Sequence, residues 1–188
     1  HLFFFGNSIC TPSMLLSRRV FDAIGLWDPR YLQLQDYDLI IRALLAGFNL
    51  KVIQEPLYYY RIRSGRKNLS SYSKQRIIRS KIEHLNILKS NYGSINDSDL
   101  FHKIFPDISR GPIAQMKFDL AQICFKKNEY LQSFAKDLLF SIYQEPSVID
   151  LLIQKRSFYP SDFYDLMGIN PAKNSIFKLT KSIINRFR

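Results

Sequence analysis

The chain has 188 residues, of which 46% are hydrophobic and 23% charged, enough apolar material for a packed core and too much for a disordered chain. Two cysteines, Cys10 and Cys124, exclude a disulfide framework and are too far apart in sequence to suggest a metal site, which makes a reducing compartment the default. The net charge of +11 is uneven, close to zero over residues 1–60, +8 over 61–90 and +3 over 91–188, and points to phosphate, a membrane surface or nucleic acid as partner.

Taken in order, Leu2 to Phe5 reads as a short buried strand. Asn7, Ser8 and Thr11 make a polar loop, in which Asn7 reads first as a turn residue. Residues 13–16 read as a strand. Ser17 caps a helix over residues 18–24, with Val20, Phe21 and Ile24 inward, and Gly25 ends it. Trp27, the one tryptophan, either packs in the core or offers a flat face to a sugar ring. Asp28 and Pro29 signal a turn.

The next segment organises the rest. Leu39, Ile40, Ala43 and Leu44 recur at helical spacing, and Gly47 supplies the stop. Asp36 or Asp38 would cap the start. Asp38 and Arg42 stand four apart and can pair on the exposed side, which leaves Asp36 to face a cleft. A carboxylate beside a helix N-terminus suits a general base for hydroxyl groups, and a plain cap is the competing reading.

Residues 50–54 and 57–62 read as two further strands, broken at Glu55 and Pro56. Arg61 and Arg63 then fall on one face, able to grip a diphosphate, with a solvated basic loop as the competing reading. From residue 70 the pattern turns helical, first in a long basic helix carrying Ile77, Ile78, Ile82 and Ile87. A loop follows at 91–99, then an antiparallel helix pair over 113–126 and 129–143 joined at Asn128, and short helical turns over 147–167. Residues 173–188 have no acid and five basic side chains around an apolar stripe, a pattern suited to an anionic membrane surface. No apolar run reaches the length of a membrane span.

The order of these segments resembles the second half of the catalytic domain in family 2 glycosyltransferases. The residues that carry the resemblance are Ser13 to Asp28, Gln35, Asp36, Tyr37 and Asp38 opening a helix, and Gly47 to Arg63 closing on three tyrosines and two arginines. The resemblance covers roughly residues 1–70. It implies an α/β fold: a partial GT-A, Rossmann-like domain over residues 1–69 lacking its nucleotide-binding half, followed by a helical extension over 70–188. It implies an inverting enzyme in which Asp36 deprotonates an acceptor hydroxyl, and it places Gln35, Trp27, Asn7, Arg61 and Arg63 around the substrates. A nucleotide-sugar donor, a glycan or lipid-linked acceptor and a divalent metal, Mg or Mn, held mostly by residues outside this chain, follow from it. The two cysteines and the stretch 173–188 add the expectation of a cytoplasmic location, peripheral on the inner face of the membrane.

Two positions depart from the family pattern. Gln35 stands where a Glu is usual, and Arg63 where a His is usual, so metal binding at residue 63 is not expected. These residues alone are expected to be inactive. The alternative is a non-catalytic basic module for a membrane surface or nucleic acid. Nucleic acid is the weaker partner, since no helix-turn-helix, zinc-finger or base-stacking signature accompanies the charge.

Overall fold

The computed structural model describes residues 1–61, 64–66 and 73–168. Arg63 and the amphipathic stretch 173–188 lie outside the described residues. The chain divides into two compact units, His1–Ser94 and Ile95–Arg188.

The first unit carries α1 (Leu2–Phe5), a 3₁₀ turn at Thr11–Ser13, α2 (Arg18–Ile24), α3 (Gln35–Leu45) and α4 (Lys74–Leu88), which runs into a π-helical turn at Lys89–Gly93. The Ser17 hydroxyl accepts from the Arg19 N–H at the start of α2, and Gly25, at φ 77°, ends it. Positive φ is cheap only without a Cβ, so that glycine fixes where the chain leaves the helix. The core gathers on α3 and α4. Tyr37, Leu39, Ile40, Ile41 and Ala43 are buried along α3, and Ile87 and Leu88 along α4. Phe3 packs edge-on against Tyr92 at 5.0 Å between ring centres.

The second unit is a helical assembly of α5 (Ser98–Ile104), α6 (Ile113–Phe125), α7 (Glu129–Ile142), α8 (Pro146–Arg156) and α9 (Pro160–Leu166). Asn128 caps α7 by accepting from the Leu131 N–H, and Gln132 Nε2 donates to the Lys127 carbonyl, so two side chains tie the turn between α6 and α7. Met116, Leu120, Leu131, Leu139 and Leu152 are wholly buried between α6, α7 and α8. Arg156 grips Asp119 through two nitrogens at 2.8 and 2.6 Å, fixing α8 to α6.

The expected α/β, partial GT-A fold is overturned. Among the described residues there is no strand and no sheet; the ordered elements are helical. Leu2–Phe5 is a single helical turn rather than a strand. Ser13 ends a 3₁₀ turn and residues 14–16 join no ladder. Residues 50–54 and 57–61 are exposed and join no ladder. The physical reason is common to these segments. Alternating β-branched and aromatic residues favour a pleated, half-buried surface, but a strand exists only where a neighbouring strand supplies its hydrogen bonds. The stretch 91–99 also differs from the loop read from sequence. It holds the end of the π-helical turn and the Asp97 cap of α5, whose carboxylate accepts from the Asp99 and Leu100 N–H groups.

Candidate active site

The first turn of α3 sends four consecutive side chains in four directions. Gln35 is exposed to solvent. Asp36 is half-buried; its Oδ1 accepts from the Tyr37 N–H at 2.8 Å, and its Oδ2 accepts a short hydrogen bond from the Thr11 hydroxyl. Tyr37 turns inward, is fully buried, and donates its hydroxyl to the Leu2 carbonyl at 2.7 Å. Its ring meets His84 of α4 at 5.0 Å between centres.

Asp38 is the fourth, and it is not on the exposed side as its spacing from Arg42 suggests. It is 3% exposed. Oδ2 takes Arg42 Nε at 2.7 Å and Oδ1 takes Asn91 Nδ2 at 3.1 Å. The same guanidinium donates to the Ile24 carbonyl at 2.6 Å and the Leu26 carbonyl at 3.0 Å. One ion pair thus joins α3, the end of α2 and the π-helical turn. The two acids differ in availability. Asp38 is fully occupied in structure, whereas no cation among the described residues pairs with Asp36.

The loop before α3 is held from α4. Glu83 is 5% exposed, and its carboxylate accepts three backbone amides, Leu32 at 3.0 Å and Gln33 and Leu34 at 2.9 Å. Neither Asp36 nor Asp38 is the N-cap: Leu34 holds that position and offers no capping side chain. Glu83 instead takes up the amides that lead into the helix, a remote clamp 49 to 51 residues away in sequence. Beside it, burial holds the His84 imidazole neutral, with its pKa lowered to about 4, and pushes the Tyr92 hydroxyl up to about 12.

A tyrosine-bearing segment returns to the Thr11 side of Asp36. The side chain of Cys10, the residue before Thr11, raises the Tyr58 pKa. Tyr58, Tyr59 and Tyr60 are all solvent-exposed. Arg61 follows them and is exposed. The structure therefore joins Thr11 to Asp36, with Cys10 next to Thr11 in the chain and Tyr58 near Cys10.

The remaining sequence candidates sit elsewhere or do other work. Asn7 turns its carbonyl oxygen onto the Ile9 N–H at 2.9 Å, an Asx turn. Trp27 is half-buried against Phe21, with ring centres 6.3 Å apart. A groove of about 1020 Å³ opens between residues 29–32 and the outer face of α4, and neither Asp36 nor Trp27 lines it. Among the described residues no three His, Cys, Asp or Glu side chains converge on a metal position. The divalent ion that the resemblance implies, with ligands mostly outside this chain, is assigned no chemical step. Sequence reading missed Thr11 and Glu83. Thr11 lies 25 positions from Asp36, and a glutamate on a basic helix reads as a surface charge; neither carries a local signal.

No family model, curated protein or solved structure matches this chain.

Proposed function

We propose that the first unit provides the acceptor-side wall of an inverting glycosyltransferase, with Asp36 as the general base. The observation that carries this reading is the division of labour on α3: Asp38 is buried in an ion pair, while Asp36 is half-open and bonded through Oδ2 to a hydroxyl. A rotatable threonine hydroxyl on Oδ2 marks a position that an acceptor hydroxyl can take over. Asp36 then removes the acceptor proton as the oxygen attacks the anomeric carbon. The bond from that carbon to the donor diphosphate breaks, and the nucleoside diphosphate leaves with the electron pair. Proton transfer to a placed carboxylate contributes about 10²–10⁴-fold. Tyr58 and the exposed Gln35 flank the acceptor, and Arg61 steadies the leaving diphosphate with Arg63, which lies outside the described residues.

In this reading the partners are a nucleotide-sugar and a glycan or lipid-linked acceptor. The protein works in the cytoplasm, against the inner face of the membrane, consistent with two free cysteines. Among the described residues no helix is long and apolar enough to cross a bilayer. The test is Asp36→Asn in the intact protein, assayed as nucleoside diphosphate release from a panel of nucleotide-sugars with glycan and lipid-linked acceptors. Turnover should fall by about 10²-fold or more with melting unchanged. Undiminished turnover would remove the base assignment.

A further inference from the structure

The outer face of α4 combines two features that rarely share an exposed helix. Ile78 and Ile82, four apart, are 59% and 57% exposed, and Leu32 across the groove is 52% exposed. Lys74 and Arg79 flank that apolar stripe, one on each side by helical angle, and both are exposed. Glu83 is the only acid on the helix, and it is turned inward onto three backbone amides. The outward face therefore presents aliphatic side chains between positive charges, with no acid among them.

We propose that this face docks on an anionic lipid bilayer, α4 lying in the headgroup plane with Ile78 and Ile82 entering the acyl boundary. Charge and shape both select this occupant. A bilayer interface takes up branched aliphatic side chains and pairs their cationic neighbours with phosphate in the same layer. A nucleic-acid backbone would satisfy the cations and leave both isoleucines in water. A second copy of this chain would meet the same face across a two-fold axis and set like charges against each other. The 15 residues of α4 span about 22 Å, enough to contact several headgroups at once. The inference holds whether or not Asp36 is a base.

Flotation of the full chain with phosphatidylcholine vesicles, with and without phosphatidylglycerol, tests it. Binding is expected only with the anionic lipid. Lys74→Gln with Arg79→Gln should weaken it on the order of twenty- to thirtyfold, from about fivefold per cation. Ile78→Ser with Ile82→Ser should weaken it by about tenfold per residue. All four positions are exposed, and circular dichroism checks that helix content is retained. Three results would overturn the proposal: no difference between the two vesicle types, binding that neither double variant alters, or binding to duplex DNA of equal strength that survives loss of the isoleucines.

Discussion

Glu83→Ala should release the loop before α3 while leaving most of the first unit folded. The carboxylate is almost wholly buried and takes three amides at 2.9–3.0 Å. A hydrogen bond to a charged group contributes about 1.5–3 kcal/mol, and an orphaned buried donor costs about 1–3 kcal/mol. The three do not add in full. Leu32 is exposed and Gln33 and Leu34 are half-buried, so freed amides can turn to water. About 3 kcal/mol is the reasoned loss, confined to local opening, which corresponds to roughly a hundredfold faster amide exchange at residues 32–34. Glu83→Gln keeps one acceptor oxygen but turns an NH₂ toward the remaining amide, so its effect should be nearer tenfold. The assay is hydrogen exchange on the full chain, with the buried amides of Leu131 and Leu139 in the second unit as internal reference. Unchanged exchange at 32–34 in the alanine variant would refute the clamp.

Asp38→Asn should destabilise the first unit by about 3 kcal/mol, because it leaves Arg42 without its buried counter-charge. Denaturation followed through the single tryptophan, Trp27, reads that unit, and a loss of only a few tenths would return the pair to the surface role that its spacing suggested. His84 should make the same unit acid-sensitive. Burial keeps the folded imidazole neutral down to about pH 4, whereas an unfolded histidine takes its proton near 6.5. The unfolded chain thus binds the extra proton between these values. The contribution is complete above about pH 6.5 and lost as pH falls toward 4, by up to about 3 kcal/mol. His84→Phe, which keeps a ring against Tyr37, should flatten that part of the Trp27-monitored profile, and an unaltered profile would assign the acid loss to other groups.

What the sequence made legible was local. Ser17 and Gly25 bracket α2, and the periodic apolar residues after Asp36 make α3. Asn128 punctuates the α6–α7 pair, where short-range spacing and a cap residue agree. What it hid was non-local. Residues 50–54 and 57–61 have strand-like composition, but composition does not supply a neighbouring strand, and they join no ladder and stay exposed. The burial of Asp38 depends on Asn91, 53 positions away, and on two carbonyls at the end of α2. A period-based reading places Asp38 and Arg42 four apart on a helix and cannot see what packs over them. The same limit applies to the clamp: Glu83 lies on a helix whose other charged side chains are all basic, and only the fold turns it inward.

The sharpest measurement sets Asp36→Asn beside Asp38→Asn in the intact protein, reading turnover and Trp27-monitored stability for both. The account predicts opposite outcomes: the first variant keeps its stability and loses transfer by about 10²-fold or more, and the second loses stability but turns over wherever it is still folded. Full turnover in the first, or a folded second variant with none, would contradict it.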